Sequence, residues 1–355
     1  MGDGFMRVHG GFKEARIDLS VNTNPLGPPK IFYSALSECI NDRVLEKYPD
    51  YSYKDLRSSL AKFYRCSEEG LIPTAGAGEA INLAILATKP RRIVVVEPSY
   101  GEYEDISKAL GIEYKALFYD KSSNSFYLDF QKLNSICEDE ESLVVITNPN
   151  NPTGYYIDRE ELFTHISKCK AKFLIDEAYM ELCSKCPVDI GADISSNIVV
   201  VRTLTKWLSV PGIRLGFLYT SNAEFHIRAD TLRQPWNVNS LAECIAQKIF
   251  NHGNELRTFI NESRQFIDEE KRHVTRALSA LGLKVFESST NFLLVEISNS
   301  WYVVEALKSM GIAVRSCASF KGLGPNYIRV AIGKSNENSE FLKALAEVLK
   351  NVKSN

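Results

Sequence analysis

A chain of 355 residues with 45% apolar and 24% charged residues has the size of one large unit plus a smaller one and the composition of a soluble globular enzyme. Its formal net charge of −2 offers no general attraction for nucleic acid or an anionic membrane. No window reaches the roughly 18 apolar residues of a membrane span, and the opening MGDGFMRVHGG lacks the apolar core of a secretion signal, so a cytoplasmic location is expected.

In chain order, 17–19 is a short apolar run that ends in the turn-rich NTNPLGPP at 22–29. GAGEAINLAILATK at 76–89 predicts a glycine turn feeding a helix, with Ile81, Ile85 and Leu86 on one face. RIVVVEP at 92–98 is the continuous β-branched run of a strand covered on both faces, and similar runs follow at 143–147, 173–176 and 198–202. Helical segments such as 158–169 lie between them, which predicts an α/β architecture around a mainly parallel sheet. Near Pro235 the pattern changes. Residues 239–281 are mostly helical with a break at 251–253. Short strands at 292–297, 312–315 and 327–332 and helices near 302–309 and 340–352 then predict a smaller α+β unit. This reading divides the chain into an N-terminal arm (1–29), a large unit (30–238) and a long helix with a small unit (239–355). The eight cysteines are too dilute for a disulfide scaffold. Cys183 and Cys186 form a C-x-x-C that lacks the second pair or histidines zinc requires, so they read as small loop and core residues and no metal site is expected.

Four stretches are unusual for a plain core. ITNPNNPTGY at 146–155 makes an abrupt, rigid turn directly after a buried strand, at the sheet edge where α/β proteins bind ligands. In FLIDEAYMEL at 173–182, Asp176 closes an apolar strand and needs a partner. That partner is either a structural arginine or the protonated ring nitrogen of a cofactor, with the Tyr179 phenol nearby. In RTLTKWLSVPGIRLGF at 202–217, Lys206 stands among the hydroxyls of Thr203 and Thr205, with Arg214 eight residues on. Hydroxyls and a guanidinium suit a phosphate, and an amine beside them suits an aldehyde cofactor anchored through that phosphate. Alone, this segment also fits an exposed lysine beside a core strand. TAGAGEA at 74–80 leaves backbone N–H groups free at a helix start to face an anion. It fits neither G-x-G-x-x-G nor the P-loop, so nicotinamide and ATP readings lack support.

NPNNPTG, DEAY and T-x-[ST]-K followed by R-L-G resemble the fold-type I family of pyridoxal-phosphate enzymes, the class I/II aminotransferase superfamily, from near residue 17 to the end. The resemblance implies a mainly parallel seven-stranded sheet flanked by helices, with a smaller α+β domain, and pyridoxal 5′-phosphate as cofactor. By position, Lys206 would hold the cofactor as a Schiff base and move protons. Asp176 would keep the ring nitrogen protonated, Asn151 and Tyr179 would bond its phenolic oxygen, and Tyr100 in EPSYGEY would stack on the ring. Ala77, Gly78, Thr203, Thr205 and Arg214 would hold its phosphate, with Tyr48 reaching it from a neighbouring subunit, so the resemblance implies a homodimer with shared sites. Arg329 in YIRVAIG matches the arginine that takes the substrate α-carboxylate.

Two branches are similar, threonine-phosphate decarboxylases of cobalamin synthesis and histidinol-phosphate aminotransferases. VHGG, DLSVNTNPLGPP, SVPGIRLG, RQPWNVNSLA and VRSCASFKGLGPNYIRVA resemble the decarboxylases. That branch implies His9, Asn22 or Asn24, and Arg315 with Arg329 as the groups for a phosphorylated amino-acid substrate. The segment between HGG and DLS is shorter than the decarboxylase pattern, and TAGAG stands where T-G-N-G is usual, removing a side chain at Ala77. A PLP-binding regulatory module is the remote alternative; about 16 residues ahead of the resembling region leave no room for a DNA-binding domain.

Overall fold

Strands and helices alternate through the first two thirds of the chain in the computed structural model, which describes residues 10–191 and 194–354. After β1 (Ile17–Asp18), α1 (Lys30–Asn41) and α2 (Lys54–Tyr64) come β2 (Leu71–Thr74), α3 (Ala77–Thr88), β3 (Arg92–Glu97), α4 (Glu102–Leu110) and β4 (Glu113–Phe118). Then follow α5 (Phe130–Cys137), β5 (Ser142–Thr147), α6 (Arg159–Ile166), β6 (Lys172–Asp176), β7 (Ile198–Thr203), the single turn α7 (Leu204–Trp207), β8 (Gly216–Thr220) and α8 (Ala223–Leu232). Seven strands form one sheet in the order β2-β8-β7-β6-β5-β3-β4. All neighbours are parallel except around β8, which is antiparallel to both β2 and β7. The expected fold, a mainly parallel seven-stranded sheet flanked by helices, is present.

Residue type accounts for the order. Every residue of β5 and β7 is buried, as is β3 beyond Arg92. Their side chains alternate between two apolar layers, Val94, Val96, Val144 and Ile146 on one face and Ile93, Val95, Leu143 and Val145 on the other. Such strands need aliphatic residues at every position. The two edges do not: β4 keeps its Glu113, Lys115 and Phe118 exposed, and β2 admits Pro73, which cannot donate to a second neighbour. Thr147 pairs with Asp176, and Asp176 with Val201. The segments after β5, β6 and β7 therefore all open at one carboxyl edge.

Past α9 (Ser240–Phe250), the 28-residue α10 (Gly253–Ala280) joins two cores. Leu256, Ile260 and Ile267 pack in the larger one, Val274 and Leu278 in the smaller. The smaller α+β unit adds β9 (Lys284–Val285), β10 (Phe292–Glu296), α11 (Ser300–Ser309), β11 (Ile312–Ala313), β12 (Arg315–Ser316), β13 (Tyr327–Ala331) and α12 (Ser335–Ser354). Its antiparallel sheet has the order β9-β10-β13-β12. The expected strand 312–315 is divided in two, and α12 starts before the expected 340. β1 pairs in parallel with β11, Ile17 opposite Ile312, so the start of the chain is bound into a unit built by its end.

The cysteines correct the sequence reading. Cys39 pairs with Cys244, Cys137 with Cys169 and Cys183 with Cys186, while Cys66 and Cys317 are free. Packing of α1 on α9 brings the first pair together across 205 residues, a proximity that the spacing of cysteines along the chain does not encode. Among the described residues no group of three His, Cys, Asp or Glu side chains is arranged to hold a metal ion. No helix among them is long and apolar enough to cross a membrane.

Candidate active site

A cavity of about 380 Å³ opens at the carboxyl edge of the large sheet, with Tyr100, Asn151, Tyr179, Lys206, Arg315 and Arg329 in its lining. Ser20, Val21 and Asn22, just after β1, close another side. Four segments that follow strands of the large sheet and two strands of the small unit thus meet around one space.

The turn after β5 shows why its composition is so restricted. The Asn148 amide donates to Ile157 O (2.9 Å) and accepts from Ile157 N (2.8 Å). Asn150 Nδ2 donates to Pro98 O at 3.0 Å, and its Oδ1 accepts from Thr153 Oγ1 at 2.6 Å. Both amides are used to close the turn, which leaves Asn151 to face the cavity.

Asp176 ends β6 beneath the cavity and is 4% exposed. The arginine alternative fails at this position. Its oxygens accept from the Tyr103 phenol (2.6 Å) and the Ala178 N–H (3.0 Å), and among the described residues no Lys or Arg pairs with it. Burial pushes its carboxyl up; the Tyr103 and Ala178 bonds and the Lys206 ammonium pull the other way. A buried carboxylate of this kind gains from a protonated ring nitrogen. Lys206 lines the cavity on α7, whose first turn is capped by Thr203 Oγ1 accepting from Thr205 N. Among the described residues it makes no ion pair. It shares the lining of this cavity with Tyr100 and Tyr179.

The phosphate-cup residues lie together, apart from the main cavity lining. Thr203 Oγ1 and Thr205 Oγ1 are 2.9 Å apart. Arg214, in the left-handed region at φ 58°, donates to Ala75 O at 3.3 Å. Gly76 (φ 85°) starts α3, and a Cβ there would stand 2.8 Å from Arg214 Nη2. One on Gly216 would stand 2.7 Å from Arg202 O and 3.1 Å from Ala77 N. Two glycines thus let the N-terminus of α3, with the backbone N–H groups of Ala77 and Gly78, press against β8 beside the guanidinium. N–H groups of a first helical turn lack intrahelical acceptors and suit an anion.

Arg329 on β13 sits opposite Arg315 on β12. Arg329 is 7% exposed and donates to Asn151 Oδ1 (2.5 Å) and Ser20 O (2.6 Å). Its Nε has no partner, and no carboxylate pairs with it among the described residues. Burial lowers the pKa of both guanidiniums, and Arg329 adds to the effect on Arg315. Arg315 donates to Ser319 Oγ at 2.9 Å. Asn22 is 1% exposed; its Nδ2 lies 3.3 Å from Tyr179 Oη, and its Oδ1 has no partner. An amide turned by half a rotation presents either a donor or an acceptor.

Two predicted residues lie elsewhere. Asn24 is outside the cavity lining: it bonds Trp207 O (2.9 Å), Ser263 Oγ (2.8 Å) and Leu26 N (3.1 Å), and its own N–H donates to Lys206 O (2.9 Å). It supports the lysine turn from behind. Tyr48 is 78% exposed, its ring 4.5 Å from that of Trp236, away from the cavity. His9 lies outside the described residues; Gly10, the next residue, lines the cavity.

One part of the site was not anticipated. Glu177, next to Asp176, is buried between Arg159 Nε and Arg202 Nε, both at 2.7 Å, and Arg202 also holds Glu181 at 2.9 Å. This ion network ties the strand that carries Asp176 to the strand that leads into Lys206. Its only sequence signal is an arginine at the head of RTLTK and two acids flanking Tyr179.

A base, a buried acid, aromatic walls and a helix-start anion cup are the features pyridoxal phosphate requires, and the unpartnered Asn22 oxygen and Arg329 Nε await polar groups of a ligand. The family model described as Aminotransferase class I and II matches residues 14–345. The chain is 31% identical over 339 residues to a histidinol-phosphate aminotransferase from Hydrogenobaculum sp., covering 95% of this chain and 94% of that one. It is 30% identical over 339 residues to the threonine-phosphate decarboxylase of Salmonella typhimurium, covering 94% and 91%. The solved structure of the histidinol-phosphate aminotransferase from Clostridium acetobutylicum matches with a TM-score of 0.83 at 30% identity, covering 94% of this chain and 99% of that one. The match over nearly the whole length agrees with the sheet order and the carboxyl-edge site, and the chain belongs to the class I and II aminotransferase family, whose cofactor is pyridoxal 5′-phosphate.

Proposed function

We propose that this protein decarboxylates O-phospho-L-threonine to aminopropanol phosphate, a step of cobalamin biosynthesis, as a homodimer in which Tyr48 reaches the partner's site. The observation that carries the reading is the buried Arg329, a cation without a counter-carboxylate beside a second guanidinium, Arg315. A buried unpaired charge costs several kcal/mol, so Arg329 is placed to take an anion, with Arg315 opposite it. A phosphorylated amino acid brings two, and its amine then points toward Lys206.

When bound, pyridoxal phosphate supplies an electron sink for the pair left by the breaking bond. Asp176 keeps the ring nitrogen's proton in place. Arg329 and Arg315 hold the substrate's anions and so select which bond at the α-carbon is aligned to break, an effect of orientation. With the carboxylate lost as carbon dioxide, Lys206 Nζ would deliver a proton to the α-carbon in its place. The surrounding burial keeps water from competing for that carbon.

The second reading is a histidinol-phosphate aminotransferase using 2-oxoglutarate, supported by relatives so named at 31% and 29% identity, against 30% for the decarboxylase. The N-terminal and lysine-flanking motifs favour the first. Holoenzyme given O-phospho-L-threonine without any oxo acid is expected to release carbon dioxide. No release, with glutamate formed from histidinol phosphate and 2-oxoglutarate, would exclude the decarboxylase.

Arg329→Ala is expected to lower kcat/KM by about 10²-fold, the value of a lost charge-assisted contact, while the cofactor absorbance persists. Arg329→Lys should recover part of the loss. Unchanged kinetics in Arg329→Ala would place the carboxylate elsewhere.

A further inference from the structure

A second large concavity, of about 910 Å³, lies away from the active site, where the turn at 154–156 meets the second half of α10 and the segment after β9. One wall is a face of α10 carrying Lys271, Arg272, Thr275, Arg276 and Ser279, residues whose spacing places them side by side along the helix. Lys185, from the loop beyond β6, faces the same space, and Tyr156, Phe286, Ser288 and Ser289 complete it.

Positive charge is concentrated here in a chain of net charge −2. Lys185, Arg272 and Arg276 have no carboxylate partner among the described residues. Lys271, its side chain 12% exposed, pairs with Asp268 at 3.0 Å and donates to Thr290 O at 3.1 Å. The lining contains one acid, Glu287, which accepts from Asn124 Nδ2 at 3.0 Å. Burial lowers the Lys271 pKa; Asp268 opposes this, and Lys185 and Arg272 add to the lowering. The cations repel one another, and an anion among them would relieve that repulsion.

The space is far larger than one phosphate needs and falls within the range of small-molecule sites. Two of its four cations are guanidiniums, which bind phosphate oxygens in pairs, and the half-buried Tyr156 offers flat apolar surface. We propose that this concavity binds a phosphorylated compound of nucleotide size, with its phosphates on Arg272, Arg276 and Lys185 and its ring against Tyr156.

Calorimetric titration of the cofactor-saturated protein with ADP, pyrophosphate and adenosine tests this without reference to turnover. ADP is expected to bind one site per chain, pyrophosphate more weakly, and adenosine not at all. The ADP affinity should fall at least tenfold in Arg272→Glu/Arg276→Glu and also in Lys185→Glu, with Tm and cofactor absorbance unchanged. These residues are exposed, so the variants should fold. Absence of ADP binding, or equal affinity in either charge-reversed variant, overturns the site. Pyrophosphate binding as tightly as ADP overturns the role given to Tyr156.

Discussion

Lys206→Ala is expected to lose turnover by at least about 10³-fold, because in the proposed mechanism one amine both anchors the cofactor and moves the proton, and to lose the absorbance band of the lysine-bound cofactor. The fold should survive. The backbone of α7 keeps its Thr203 cap and its carbonyl bond from Asn24 N, and removing a part-exposed side chain without an ion partner changes stability by no more than about 0.5 kcal/mol. Lys206→Arg separates charge from chemistry. It keeps a cation in the cavity but cannot form the imine or give up its proton at neutral pH, and it should be as inactive as the alanine variant. Turnover near the wild-type rate in either variant would remove the lysine from the mechanism. Activity and absorbance measured on the same preparation provide the check.

The second large effect is expected in stability. Arg202→Leu leaves Glu177 and Glu181, both fully buried, without the guanidinium that bridges them. Breaking a buried pair on one side costs about 3–5 kcal/mol, a large part of the total stability of most domains. Arg159 remains on Glu177, so the damage should fall mainly on Glu181 and on the link between β6 and β7. Asp176 is next to Glu177, and Thr203 next to Arg202, so cofactor affinity should fall with stability. Urea unfolding followed by fluorescence gives the first quantity and titration of the apoprotein with pyridoxal phosphate the second. A loss below about 1 kcal/mol, within the range of surface pairs, would show that the network does not hold the two strands.

Much of the cavity lining was legible in the sequence. Asn151, Tyr179 and Lys206 reach one cavity because each stands a few residues past a strand end whose apolar run is visible in one dimension, and Arg329 joins them from within β13. The turn chemistry is local: in NPNNPTG, two of the asparagines close the loop and the third is left facing inward. Edge strands were harder to see. β2 and β4 need not be apolar at every position, and β8 is hidden in the segment after the lysine, so the four central strands alone showed the buried pattern. Asn24 shows the opposite error. Its neighbourhood in sequence matched a binding segment, but its amide bonds a backbone carbonyl, a serine on α10 and a nearby N–H.

What the sequence alone determined is therefore the sheet class and the unusual turns at the strand ends, because strand period and turn composition act within a few residues; the cofactor followed from the resemblance of its motifs to a known family. Only the tertiary structure decided which partners those residues have. It joined Cys39 to Cys244, assigned the arginines to Glu177 rather than Asp176, bound β1 into the small unit, and gathered cations from α10 and a distant loop around a second concavity. Such contacts depend on how whole elements pack against one another, and no periodicity along the chain records that.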